Sequence, residues 1–352
     1  MPADEGTEPD RLPGAPHPRE QMAFFGHGEA ERAFLDAHRA GRLHHAWLIG
    51  GPFGIGKATL AYRVARFLLS DGSARREPSG TLSMPPESSV ARQVAALSHP
   101  NLILLRRSPA TEKKGPSTTI PVEAVRRALA LFGSTSANGG YRVGIVDSAE
   151  DLTPASANAL LKLIEEPPPR SIFLIVSHAP QRVLPTIRSR CRRLLLKPLA
   201  EGDLRSVVRS LGPPWAEADD AALSHAIAHA EGSVRRTIEV LDPDMAAVVA
   251  ETRSLLEALP HPDLSRILAL AEKLARREAE GAYDLMIDTV VRWTTANLRA
   301  RASLGAPRLA PLVEVCEKVA RAAEETDVFN LDRRPLVISM FDDLAEAVRR
   351  TN

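Results

Sequence analysis

Apolar residues in the first 200 positions fall into short runs separated by longer stretches with helical spacing. The runs are Ala46-Trp47-Leu48-Ile49, Leu102-Ile103-Leu104-Leu105, Val143-Gly144-Ile145-Val146 and Ile172-Phe173-Leu174-Ile175-Val176. Runs this short, rich in β-branched residues and unbroken by polar ones, predict strands buried on both faces. Between them, Ala30, Phe34 and Leu35, then Leu60 to Leu69, then Val122 to about Phe132 are spaced for amphipathic helices. Thr153-Pro154 predicts a helix start, a hydroxyl cap followed by proline at the first helical position, and Pro167-Pro168-Pro169 ends that helix after Glu166. Strand and helix therefore alternate, which predicts an α/β domain with a mostly parallel sheet and helices on both faces.

The pattern changes at both ends of this region. Residues 1–20 are rich in Pro, Gly, Asp and Glu and read as a disordered tail. After Pro198 strand signals thin out and helical periodicity takes over, with boundaries expected near 198 and 246. This divides the chain into 21–198 (α/β), 199–245 (a small helical unit) and 246–352 (an all-α C-terminal domain). In the last unit Leu264, Ile267, Leu268, Ala271 and Leu274 are expected on one helical face, and Leu312, Val315, Cys316 and Val319 on another. Leu336, Met340, Leu344, Ala347 and Val348 repeat the theme after the cap-like Asn330-Leu331-Asp332. Residues 71–99 and the polar link 134–140 read as irregular.

Charge changes this picture little. The 45 basic and 44 acidic side chains leave a formal charge of +1, so any nucleic-acid contact is local rather than driven by the whole molecule. Only Cys191 and Cys316 are present, too few for a disulfide framework or a cysteine zinc site and compatible with a reducing cytoplasm. The N-terminal residues lack an apolar run suited to a signal peptide or membrane span.

The strongest chemical motif is Gly51-Pro52-Phe53-Gly54-Ile55-Gly56-Lys57, the GxxxxGK frame of a phosphate-binding loop set between a strand and a helix. Gly51, Gly54 and Gly56 would let backbone N–H groups turn toward phosphates, and Lys57 would neutralise the terminal ones. Ala58 stands where the frame calls for a hydroxyl to hold magnesium, and Thr59 comes one residue too late, about 100° further round the helix. Asp147 ends an apolar strand as a magnesium-orienting acid does, although a turn-capping Asp looks the same in isolation. Ser148 follows it where a general base would be needed. Glu150 and Asp151 are expected to face solvent or cap a helix.

Asn158-Ala159-Leu160-Leu161-Lys162, Glu165-Glu166-Pro167-Pro168 and Thr186-Ile187-Arg188-Ser189-Arg190-Cys191 complete a set that resembles the clamp-loader subunits of the AAA+ group. With Gly41-Arg42-Leu43-His44-His45-Ala46 ahead of the loop, the resemblance is to the bacterial delta-prime type of DNA polymerase III. It spans about Phe24 to Leu199 strongly and the remainder more weakly. It implies an AAA+ P-loop domain, a helical lid and a helical collar that joins subunits. It also implies that Arg190 reaches a neighbour's ATP site as an arginine finger, that Ser177 is a phosphate sensor, and that Arg235 in Gly232-Ser233-Val234-Arg235 is the second sensor. A solvated basic turn is the bland reading of Arg190 beside Arg188, Arg192 and Arg193, and DNA-backbone contact by that cluster is a third. Ser177 could equally cap a turn, and Arg235 could be an ordinary first-turn residue.

The resemblance further implies a hetero-oligomer with gamma/tau-type and delta-type subunits, a beta sliding clamp and primer-template DNA, with no membrane partner. ATP or ADP is expected to bind without efficient hydrolysis. Many delta-prime relatives carry a four-cysteine zinc module after the helix that follows the loop; residues 71–99 hold no cysteine, so no zinc is expected. A polymerase active site is not expected, because no pair of metal-binding carboxylates on neighbouring strands is visible. An active AAA+ ATPase using Thr59, and a nucleotide-independent scaffold, are the competing readings.

Overall fold

The computed structural model describes residues 8, 11–12, 14–70, 81–108, 117–133, 140–276, 279–329 and 331–351. They form two compact units, 1–238 and 239–352. The first contains β1 (Ala46–Gly50), β2 (Leu102–Arg106), β3 (Arg142–Asp147), β4 (Ser171–Ser177) and β5 (Arg192–Leu195). They make one parallel sheet in the order β2-β3-β4-β1-β5. The four apolar runs thus become four of the five strands; β1, β3 and β4 are buried almost throughout, as their composition predicts, whereas β2 lies at the sheet edge and is fully buried only at Leu105.

Alternation within each run explains why helices cover both faces. Trp47 and Ile49 of β1, Val143 and Ile145 of β3, and Ile172, Leu174 and Val176 of β4 point to one face. There they meet Leu60, Val64 and Leu68 of α2 (Lys57–Leu69) and Phe34 of α1 (Gly28–Arg39). Ala46, Leu48, Phe173 and Ile175 point to the other face. Their partners are Val125 and Phe132 of α4 (Val122–Gly133) and Leu160, Leu163 and Ile164 of α5 (Pro154–Glu165). Each large side chain so enclosed contributes about 1.5–3 kcal/mol relative to exposure. The Thr153 hydroxyl caps α5 by accepting from the Ser156 N–H at 3.1 Å, as the Thr-Pro signal predicts.

Two expectations change. Within 71–99, where an irregular excursion is expected, Ser89–Ala95 forms α3, capped by Ser88 Oγ and buried through Ala91 and Val94. A helix of only seven residues gives too little periodicity to read; residues 71–80 lie outside the described set, as do 134–139 of the polar link. Among the first twenty residues, read as a disordered tail, the described ones are packed. Arg19 Nε donates to Ala95 O at 2.8 Å, and Arg66 donates to the carbonyls of Arg19 and Gln21 at 2.8 and 2.9 Å. Glu8 accepts from Arg19 at 2.9 Å and from Arg106 at 2.7 Å. Although burial opposes it, these two guanidinium groups hold the Glu8 carboxyl down to about 2. Ordering here comes from charge pairs and long-range backbone acceptors, which leave no hydrophobic period in the sequence.

Between β4 and β5 lies the short α6 (Pro185–Ser189), and after β5 come α7 (Glu201–Ser210), α8 (Asp220–Ala230) and α9 (Val234–Leu241). The second unit is helical: α10 (Pro243–Glu257), α11 (Leu264–Leu274), α12 (Glu280–Ala300), α13 (Ala306–Phe329) and α14 (Arg333–Thr351). Ile267, Leu270, Ala271 and Leu274 pack with Val337, Met340, Phe341 and Leu344 in its core. Leu264 and Leu268, expected on the same face, are exposed. The buried stripe runs through 267, 270, 271 and 274; at about 100° per residue Leu268 lies roughly 60° beyond its edge, and Leu264, only roughly 20° beyond, is the first residue of the helix. Cys316 is half-buried, and burial pushes its thiol pKa up. No described helix is long and apolar enough to cross a membrane.

Candidate phosphate-binding site

The loop joining β1 to α2 is built by its glycines. Gly51, Gly54 and Gly56 have φ of +147°, +74° and +94°, values that favour glycine. Gly54 also lies against another segment: a Cβ there would come within 2.3 Å of Ser233 Oγ and 2.8 Å of Arg235 Cβ. Val234 N–H donates to Gly54 O at 2.9 Å, so the start of α9 is fastened to the loop. On the other side His27 Nε2 is 2.8 Å from Ile55 O.

Lys57 opens α2, and its side chain is buried. Its ammonium donates to Pro52 O at 2.5 Å. Burial pulls its pKa down to about 8, opposed by the charges of Asp147 and Glu150. A cation so enclosed, beside the N–H groups of a helix N-terminus, is chemically suited to phosphate.

The acidic side differs. Ala58 packs a methyl group against the core, and Thr59 is half-buried one position on. Asp147 sits at the carboxyl end of β3, as expected. Ser148 is buried, and a single 3₁₀ turn, Ala149–Asp151, follows it. Asp151 N–H donates to Ser148 O at 3.2 Å, and Asp151 Oδ2 accepts from Ser148 N–H at 3.5 Å. Burial raises the Asp151 pKa, with Arg107, 3.2 Å away, opposing. The helix-capping expectation therefore describes Asp151. It does not describe Glu150, whose carboxylate accepts from Ser177 Oγ at 2.5 Å and from Ala179 N–H at 2.8 Å.

Ser177 ends β4, fully buried, and is the register partner of Gly50 at the mouth of the loop. Next to it, His178 packs edge-on against Phe53 at 4.6 Å between ring centroids. Burial, then the nearby Lys57 charge, pull the His178 pKa down to about 4 against the pull of Glu150. The Arg235 guanidinium lies over the opposite partner in this group, the Phe53 ring, at 4.9 Å. Gly51, Gly54, Gly56, Lys57, Asp147, Ser177 and Arg235 are thus gathered at the carboxyl end of the sheet, together with Glu150, Phe53 and His178, which sequence reasoning missed. For Glu150 the available signal was an acid three residues beyond the strand-ending Asp147.

Arg190 belongs to a different place, the end of α6. Its guanidinium, partly exposed, bonds Glu165 Oε1 at 2.9 Å and Thr186 O at 3.1 Å. In the adjoining basic cluster, Arg188 donates to Gln181 O at 3.1 Å and Arg192 stacks over Trp47 at 4.7 Å. Cys191 is half-buried, and burial pushes its thiol up to about 12.

Residues 26–200 match the family described as DNA polymerase III, delta subunit. A Yersinia pestis DNA polymerase III subunit delta' is 32% identical over 242 residues, covering 67% of this chain and 67% of that one. The chain belongs to the DNA polymerase III delta-prime family. A Pseudomonas aeruginosa subunit delta' is 35% identical over 181 residues, 51% of this chain and 52% of its own length. A Mycobacterium tuberculosis DNA polymerase III subunit gamma/tau is 34% identical over 257 residues, 71% of this chain and 42% of its own. Delta-prime and gamma-type proteins are clamp-loader subunits, and this delta-prime family member is one of them by descent. Its loop fits the phosphates of a nucleotide. Its hydrolytic side fits magnesium poorly, since a methyl group at Ala58 offers no oxygen and Ser148 is buried in a turn. Among the described residues no group of three His, Cys, Asp or Glu side chains is arranged to hold a metal.

Proposed function

We propose that this subunit works in the DNA polymerase III clamp loader as a stationary partner that binds ATP or ADP, hydrolyses it poorly, and completes a neighbour's ATP site with Arg190. The observation that carries the reading is the division within one unit. The phosphate loop keeps its glycines and Lys57, while Ala58 and Ser148 replace the groups that would hold magnesium and activate water. Arg190 supports the trans role through its place at the end of a short helix, where its guanidinium is partly exposed and held by Glu165. A planar guanidinium presented in this way suits a developing phosphoryl charge on another subunit. The assembly it implies includes gamma/tau-type and delta-type subunits and the beta clamp, acting at primer-template DNA in the cytoplasm. The test compares clamp- and DNA-stimulated ATP hydrolysis by the reconstituted complex with and without Arg190→Ala, once both assemble equally. A loss of about 10³-fold is expected at the site Arg190 completes. Unchanged hydrolysis removes the trans role and favours a scaffold.

A further inference from the structure

The acid that sequence reasoning set aside is bound to Ser177, a buried hydroxyl at the mouth of the phosphate loop. Glu150 Oε1 takes both the Ser177 Oγ–H, at 2.5 Å, and the Ala179 N–H, at 2.8 Å. Ser177 lies beside Gly50 in the sheet register, one strand from where the loop begins. The same carboxylate acts electrostatically on the buried Lys57 ammonium, alongside Asp147. Burial alone would keep Glu150 protonated more readily, yet the hydrogen bonds from Ser177 and Ala179 hold its pKa below the usual carboxylate value, so it is an anion at neutral pH.

We propose that Glu150 makes this loop selective for nucleoside diphosphates, because its carboxylate holds the Ser177 hydroxyl that a terminal phosphate would need and sets a negative charge beside it. The inference rests on the phosphate-loop reading above. A diphosphate requires the loop N–H groups and Lys57, which Glu150 leaves available. A triphosphate brings a further doubly charged group toward Ser177, where it meets a fixed negative charge and a hydroxyl already donating elsewhere. The two like charges repel, the more strongly the less water lies between them, and a donor lost to a charged acceptor is a large fraction of a binding energy.

The test measures ADP and ATP affinity of the full-length chain by calorimetry, for wild type, Glu150→Gln and Glu150→Ala. Glutamine keeps the acceptor and removes the charge; alanine removes both. Wild type is expected to bind ADP at least about tenfold tighter than ATP, and both variants to bring the two within about threefold. Equal affinities in wild type, or a ratio unmoved in both variants, overturn the proposal while leaving the loop reading in place. If ADP itself does not bind, or binds in a way indifferent to Lys57→Ala, the loop reading fails and this inference goes with it.

Discussion

The two walls of the site, the loop from Gly51 to Lys57 and the acidic corner from Asp147 to Asp151, start from the same sheet edge and are built on opposite principles. The loop is backbone-made: positive φ angles, N–H groups and a single buried cation. The corner is side-chain-made: the Asp151 carboxylate takes Ser148 N–H and Arg107, and the Glu150 carboxylate takes Ser177 Oγ–H and Ala179 N–H. Backbone geometry persists while glycines remain, because a Cβ at Gly51 or Gly54 would clash with a neighbour and Gly56 holds a φ of +94°. A side-chain wall is rewritten by a single residue, such as the serine at position 148 where a general base would be needed. The hydrolysis-deficient reading proposed above rests on that difference.

The comparison breaks first at Gly54. Gly54→Val places a branched Cβ within 2.3 Å of Ser233 Oγ at a φ of +74°, so strain and overpacking together are expected to cost about 2–5 kcal/mol. Denaturant unfolding should report that loss and calorimetry the loss of ADP binding. A cost below 1 kcal/mol would mean that the α9 contact yields easily and that the loop is not rigid. Lys57→Met should act oppositely on stability. The folded pKa near 8 lies below the unfolded value of 10.5, so the folded state binds the proton less well. Wild-type stability is therefore expected to rise between about pH 8 and 10.5, with the penalty fully present below 8. The methionine variant should lack that rise, be stabilised by about 1–3 kcal/mol at pH 7, and bind no ADP. A parallel pH profile in wild type and variant would show that another group titrates.

The loop was legible because its glycines carry a spacing, and four of the five strands because each is built on an apolar run; β5, Arg-Arg-Leu-Leu and largely exposed, carries no such run and was missed. The acidic corner was legible only as composition. Three acids follow one another within five residues, and nothing in their order says that Asp151 turns back on Ser148 while Glu150 crosses to β4. That choice depends on β3 and β4 lying side by side, a contact between residues about 27 positions apart. The packed segment before residue 21 was missed for the same reason, since Arg19 and Arg66 find their acceptors across the fold. Leu264 and Leu268 show the converse error, in which a helical period is real but its buried arc is narrower than the residues that share it.

Asp151 gives the finest test of the contrast between a wall that binds and a wall that braces. Its carboxylate accepts from Ser148 N–H and pairs with Arg107, while burial raises its pKa, so its charge is poorly accommodated and its acceptor atoms are used. Asp151→Asn keeps an acceptor and removes a charge the fold disfavours, and should change stability by less than about 0.5 kcal/mol. Asp151→Ala removes the acceptor and leaves Ser148 N–H and Arg107 without it, and should cost about 1 kcal/mol. Neither should alter ADP affinity, in contrast to Lys57→Met. Thermal melting and calorimetry on the same samples separate the two effects. A fall in ADP affinity in the asparagine variant would move Asp151 from the bracing wall to the binding one, and the division between Glu150 and Asp151 would have to be redrawn.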